Sequence, residues 1–292
     1  MAVCLHSGDL SLTLLPEIGG CVGAFRLALF DLMRPMPAGA TDAISSAMFP
    51  MAPFANCLRD NAFIFAGKRH EVSPNIPGVA MNFHGSAWQS VWHPVSQSAT
   101  SAELALEGGR VDGVYRYSAR QRFSLDDRGL ELIMSVTNRG SSALPFSFGL
   151  HPWFPLHGNA RLRFRSTSRW RGDAKGRAVA CEPLTAEANY ADWRDAPSGW
   201  QNYCHAGWDG RAEIVWPDAD IGISMTADLI FAHLMLHSPA SGEPVFCLEP
   251  QTSAPCGFDG LEAGLVQVGV HILEPNASVS GSVRFQVRRS LI

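Results

Sequence analysis

Alternation with period two runs through this 292-residue chain and constrains its fold more than any other feature. In YRYSARQRFSL (115–125), Tyr115, Tyr117, Ala119, Phe123 and Leu125 fall on one face, with Gln121 interrupting it. Arg116, Ser118, Arg120, Arg122 and Ser124 take the other face. LELIMSV (130–136) places Leu130, Leu132, Met134 and Val136 together, and DDRG (126–129) between the two runs reads as a hairpin turn. RLRFR (161–165), IGISM (221–225) and VRFQV (283–287) alternate in the same way. No stretch of ten or more residues carries the 3.6-residue repeat of an amphipathic helix. With 27 glycines and 19 prolines as punctuation, the pattern predicts an all-β chain of many strands. A large antiparallel β-sandwich fits better than an up-and-down barrel, because connections such as 166–200 read as long and irregular. APSGWQN (196–202) reads as a loop within the domain, and residues 1–292 are expected to form a single domain.

Composition narrows the partners. Hydrophobic residues make up 46% and charged residues 17%, enough to build a sizeable core. The net charge is −4 and no Lys/Arg cluster is present, so nucleic acid is not an expected partner. No apolar run approaches the roughly 18–20 residues that span a bilayer. The opening MAVCLHSGDL lacks a basic segment followed by an apolar one, so no membrane association and a cytoplasmic location are expected. Seven cysteines are scattered with no Cys-x-x-Cys pair, which disfavours a disulfide framework and a structural zinc site. No metal and no cofactor are expected. Eight tryptophans and ten histidines are compatible with a carbohydrate cleft, although tryptophan packs in cores as well.

Four stretches place polar groups under tight local constraint. PFANCLRDNAF (53–63) crowds Asn56, Arg59, Asp60 and Asn61 between apolar anchors. NFHGSAW (82–88) sets His84 before a glycine that permits a sharp bend. FGLHPWFPL (148–156) wraps His151 in apolar neighbours, and Pro152 biases it toward an extended conformation. VFCLEPQT (245–252) sets Glu249 at the end of an apolar run, again before a proline. A carboxylate there is costly to bury unless paired. Each residue alone also reads as structural: a core histidine, a strand-end glutamate, a turn arginine. Together a desolvated imidazole and a desolvated carboxylate form the pair that a two-sided proton transfer needs. Cys57 and Cys247 lie beside these stretches, and a buried thiol is their plainer reading.

GLHPWF resembles the Gly-x-His-Pro-Tyr/Trp-Phe motif of the aldose 1-epimerase (mutarotase) family. CLEPQT resembles its Cys-x-Glu-Pro segment, NFHGSAW its His-Gly-x-x-x-Trp segment, and FPMAPFANCLRDNAFIFAGKRHEV (49–72) its Pro-φ-x-Asn-Arg-Ile region. CHAGWDGRAEI (204–214) resembles a Phe-x-Gly-Trp stretch of one subgroup. The five follow the family's order. The resemblance implies the galactose mutarotase-like supersandwich, a small-molecule sugar as ligand and a monomer or homodimer. It implies His151 as the general acid that protonates the ring oxygen and Glu249 as the base that takes the anomeric hydroxyl proton. His84 would hydrogen-bond the sugar, Trp153 would wall the pocket, and an Asn–Arg pair would hold hydroxyls. Two positions depart from the pattern. Cys57 stands where the family has arginine; Arg59, two residues on, would share its face on a strand and reach the same pocket. Asn202 stands where the subgroup has aspartate, with Asp209 a nearby substitute. A hexose-6-phosphate epimerase and a non-catalytic sugar-binding protein of the same fold are the alternatives. The former wants cations at the pocket mouth, and the chain has two lysines, Lys68 and Lys175. Arg59, Arg69 and Arg171 are further candidates.

Overall fold

The computed structural model describes residues 1–172, 178–262 and 268–290. Two large antiparallel sheets of eleven and nine strands carry the molecule. The hairpin read from sequence joins Tyr115–Asp126 to Gly129–Asn138 in the nine-stranded sheet. Its turn is closed by Asp126, whose Oδ1 accepts from the backbone N–H groups of Arg128 and Gly129 at 2.9 and 2.8 Å. Tyr115, Tyr117, Phe123 and Leu125 are buried, as the alternation requires. Gln121 is buried with them, because its Nε2 donates to the Gly20 carbonyl at 2.9 Å. A buried amide is tolerated where it is so satisfied.

The apolar faces of the two sheets meet in one core. It takes Leu104, Tyr117 and Phe123 from the nine-stranded sheet, and Leu150, Leu236 and Leu248 from the eleven-stranded one. Face-to-face packing of this kind leaves each sheet a second face. On the eleven-stranded sheet that face carries buried ionisable side chains. Its central strands run in the order Met48–Met51, Gly149–Pro155, Val245–Gln251, His233–Ser238, Gln201–Ala206. Along Gly149–Pro155, Leu150 and Phe154 enter the core while His151 and Trp153 point the other way. Along Val245–Gln251, Phe246 and Leu248 enter the core, and Cys247 and Glu249 share the opposite face by the same period of two.

Three expectations change. The segment 166–200 is not merely irregular: Ser168–Gly172 and Ala178–Pro183 extend the eleven-stranded sheet to its edge. The stretch 196–202 is not all loop, since Gln201 and Asn202 open the strand Gln201–Ala206. Glu249 does not end its strand; pairing continues through Gln251. Among the described residues the one α-helix is the four-residue Asp259–Glu262, and none of their helices is long and apolar enough to cross a membrane.

Candidate functional site

His151 and Glu249 lie opposite each other on adjacent strands. Gly149 pairs with Gln251 on one side and Trp153 with Cys247 on the other, so the register between them sets His151 against Glu249. The bonding pattern explains how close they come. Thr252 N–H donates to the Phe148 carbonyl, and Leu156 N–H to the Pro244 carbonyl. Hydrogen-bonding pairs recur every second residue along such a ladder, so those between these two bonds are Phe154–Phe246, Pro152–Leu248 and Leu150–Pro250. His151 and Glu249 therefore form a non-hydrogen-bonded pair, the kind whose side chains approach most closely. Each flanking pair contains a proline, which has no N–H to give. The two prolines noted in sequence thus remove ladder bonds on both sides of the pair.

His151 Nε2 stands 3.2 Å from Glu249 Oε1, with both side chains almost wholly buried. On the far side of the imidazole, Nδ1 stands 3.6 Å from the Cys247 thiol. Phe49 stacks on the ring at 4.4 Å between centroids, and Trp153 lies at 5.0 Å. Burial drives the His151 pKa well below the usual imidazole value, with the neighbouring His84, His237 and Arg34 acting in the same direction. Burial drives the Glu249 pKa well above the usual carboxylate value. Both shifts favour the uncharged forms, a neutral imidazole beside a carboxylic acid. The imidazolium–carboxylate form carries the same net charge. A proton can therefore pass between the two without altering the charge of the buried site.

A cleft of about 410 Å³ opens above the pair. Its floor includes His151 and Glu249. One flank, built by two loops, carries Asn56, Cys57, Met81, Phe83 and His84. The other, at the far strands, carries Trp200, Asn202, Met235 and His237. The loops are tied to each other by backbone. His84 N–H donates to the Asn56 carbonyl at 2.7 Å, and Asn56 N–H donates to His84 Nδ1 at 3.0 Å. Since Nδ1 accepts, the proton of the neutral ring sits on Nε2. Burial lowers the His84 pKa to about 3, with the charge on His237 as a smaller cause, so at neutral pH it is an uncharged donor. Asn56 and His84 both adopt left-handed backbone, at φ +60° and +62°. Gly85 follows at φ +63°, where a Cβ would stand 2.4 Å from Pro53 Cδ. Glycine alone fits that approach.

Of the residues singled out in sequence, His151, Glu249, Asn56, His84 and Asn202 meet at this cleft. Trp153 flanks the imidazole beneath Arg34, whose guanidinium carbon lies 4.4 Å from the indole centroid. Arg59 does not share a strand with Cys57. The chain turns into a short 3-10 helix, Arg59–Asn61, and the guanidinium pairs with Asp259 away from the cleft lining. Asp209 is also elsewhere. It sits in the turn before Arg211–Trp216, accepts from Arg211 N–H at 3.0 Å, and lines a separate groove on the nine-stranded sheet. Lys175 lies outside the described residues. Sequence reading missed His237, Met235 and Trp200. The alternation His233, Met235, His237 in HLMLHS held the signal for the first two. Trp200 is 66% exposed at the cleft mouth, edge-on to His237 at 5.5 Å.

Among the described residues, His151, Cys247 and Glu249 are also the one group whose metal-ligating atoms all lie within 4.8 Å of one another. The imidazole turns one nitrogen to each neighbour, and a metal takes only one of them. Burial also raises the Cys247 thiol pKa well above its usual value, against the thiolate a metal would need. The arrangement suits proton exchange better than metal binding.

Comparison with known proteins agrees with the fold. A family model described as aldose 1-epimerase matches residues 1–254. The uncharacterized protein YphB of Escherichia coli K12 is 34% identical over 269 residues, 89% of this chain and 91% of YphB. A crystal structure from Escherichia coli K12, of a protein proposed to be an aldose 1-epimerase, superposes with a TM-score of 0.92 at 29% identity and covers 99% of both chains. A galactose mutarotase-like protein from Clostridium acetobutylicum superposes with a TM-score of 0.83 at 17% identity, over 98% of this chain and 94% of that one. With the family model matching residues 1–254 and a fold match that covers 99% of both chains, the chain belongs to the aldose 1-epimerase family.

Proposed function

We propose that the protein is an aldose 1-epimerase that opens and recloses the ring of a free aldose. The observation that carries this is the buried His151–Glu249 contact on the floor of a sugar-sized cleft. Protonated His151 gives its proton to the ring oxygen while Glu249 takes the proton of the anomeric hydroxyl. The bond between C1 and the ring oxygen breaks and C1 becomes an aldehyde. The pair is now imidazole and carboxylic acid, the form that burial favours. After rotation about C1–C2, the freed hydroxyl attacks the other face of the aldehyde. His151 recovers its proton, Glu249 returns its own to the new anomeric oxygen, and the pair is restored. Each step keeps the net charge of the pair at zero; burial favours ring opening, which leaves the uncharged pair, and opposes reclosure, which restores the ion pair.

His84, Asn202 and His237 supply neutral donors and acceptors for hydroxyls, and Trp200 offers an aromatic face. A sugar phosphate finds little support. Among the described residues no lysine or arginine lines the cleft, and a dianion needs aligned cations. A purely binding protein has no use for a desolvated acid–base pair. Anomer exchange followed by magnetisation-transfer NMR tests the proposal. Exchange above the buffer rate that vanishes in Glu249→Gln supports it; a rate unchanged by that substitution refutes it.

A further inference from the structure

Two thiols meet at the loop flank of the cleft. Cys57 Sγ lies 3.7 Å from Cys256 Sγ, although 199 positions separate the residues in sequence. Backbone brings them together: Cys256 N–H donates to the Cys57 carbonyl at 3.2 Å. Both are buried and both lie outside the named strands, Cys57 bridged to Phe83 and Cys256 in a turn at φ +54°. The sulfurs already touch, so the side chains point at each other, and closure to a bonded separation of about 2.05 Å asks for roughly 1.7 Å of travel shared between them. The two differ in access. Cys57 lines the cleft, whereas Cys256 stands behind it, outside the lining. A small oxidant that enters the cleft meets Cys57 first. The other buried thiols compete poorly. Burial raises the Cys21 pKa to about 11 and drives those of Cys204 and Cys247 well above the usual value, which keeps all three in the unreactive protonated form.

We infer that Cys57 and Cys256 form a redox-modification site, which a small hydroperoxide oxidises to a reversible disulfide that displaces the Asn56–His84 flank of the cleft. The Cys57 thiolate attacks one peroxide oxygen. The O–O bond breaks, Cys57 becomes a sulfenic acid, and hydroxide leaves and takes up a proton as water. The Cys256 sulfur then attacks the sulfenic sulfur. The S–O bond breaks, the S–S bond forms, and the oxygen leaves with the Cys256 proton as a second water. Two thiols give up two electrons, and these reduce the peroxide. A dithiol reverses the change by exchange. The bond reaches the cleft through Asn56. Its Oδ1 accepts from Cys57 N–H at 3.0 Å, and its backbone exchanges two hydrogen bonds with His84. Drawing Cys57 toward Cys256 moves that flank as a unit. A misplacement of about 1 Å costs up to about a hundredfold in rate, so anomer exchange is expected to fall about tenfold or more. The effect on exchange rests on the proposed ring-opening reaction; the disulfide itself does not.

The experiment treats reduced protein with a slight excess of hydrogen peroxide and caps remaining thiols with N-ethylmaleimide. Peptide mapping without reductant is expected to recover Cys57 linked to Cys256, and dithiothreitol to return both as thiols. In Cys256→Ala, dimedone should trap a sulfenic acid on Cys57, with exchange before oxidation equal to reduced wild type. In Cys57→Ala, Cys256 should stay a thiol. Exchange of D-galactose and D-glucose, followed by NMR, should fall about tenfold in oxidised wild type and recover with dithiothreitol. Oxidation of the exposed Cys4 and Cys181 while Cys57 and Cys256 remain thiols overturns the inference. A cross-link that leaves exchange unchanged overturns the displacement of the flank. An absence of exchange in the reduced protein overturns the epimerase reading and leaves the disulfide to the peptide map.

Discussion

His151 and Glu249, 98 positions apart in sequence, face each other across one strand boundary with Nε2 and Oε1 3.2 Å apart. Each group's shift has burial as its largest cause, and the shifts run in opposite senses. In His151→Asn and Glu249→Gln, anomer exchange is expected to fall by roughly a hundredfold to ten-thousandfold, the usual contribution of a positioned acid or base. Both replacements are near in shape and keep a polar group in the pair. Circular dichroism and thermal melts close to wild type then separate lost chemistry from lost folding.

Gly85 holds the His84 loop against the cis Ala52–Pro53 segment. In Gly85→Ala the new methyl meets Pro53 Cδ at 2.4 Å and the Ala52 carbonyl oxygen at 2.5 Å, in a backbone region that L-residues seldom adopt. A loss of about 2 kcal/mol or more in urea titration is expected. A raised KM should accompany it, because His84 is displaced. Wild-type stability together with wild-type KM would show that the loop relaxes freely.

Trp200 exposes 66% of its surface beside the cleft, an unusual position for so large an aromatic unless a ligand covers it. Trp200→Ala is expected to raise KM about tenfold, equivalent to ~1.4 kcal/mol of binding, with kcat little changed and the melting temperature unaltered. Trp200→Phe should recover most of the affinity. An alanine variant with unchanged KM for every accepted sugar removes Trp200 from the site.

Buried histidines set the acid limit of stability. Burial lowers the pKa of His205 and of His233 to about 4. His205 Nδ1 lies 3.0 Å from Ser166 Oγ, and His233 Nδ1 lies 2.8 Å from the Thr252 carbonyl oxygen. The unfolded chain takes up a proton on each near pH 6.5, whereas the folded chain does not until about pH 4. Their stabilising effect is therefore complete above pH 6.5 and is lost as the pH falls toward 4, at roughly 2 kcal/mol each by pH 5. The melting temperature should drop between pH 7 and pH 5, and His205→Gln should flatten that slope. Glu249 has the opposite sign: its raised pKa favours the folded state in acid, an effect lost as the pH rises.

Much of this was legible in sequence, for physical reasons. Strands announce themselves by alternation because one face of each must enter the core, and Tyr115–Asp126 shows it plainly. His151 and Glu249 stood out because an ionisable residue in an apolar run has few innocent explanations. Their juxtaposition is another matter, since sheet order between distant strands is a global property. Arg59 was misplaced because two residues on a strand share a face, whereas here the backbone turns at Leu58 and Asp60 adopts φ +51°. Asp209 was drawn in as a nearby substitute for the aspartate that Asn202 replaces, although its turn leads into the other sheet. Trp200 read as loop punctuation because nothing local tells a tryptophan which face of a cleft it will border.

The proline-flanked gap between Gly149–Pro155 and Val245–Gln251 has a consequence for how this protein could fail. His151 and Glu249 sit on separate strands joined in register from either side of the gap, so their separation is set by strand alignment rather than by a loop. A one-residue slip would turn Glu249 into the core and bring Leu248 or Pro250 to face His151. Partial misalignment thus yields an inert molecule, not a sluggish one, and specific activity in a preparation counts the fraction of chains that have zipped correctly.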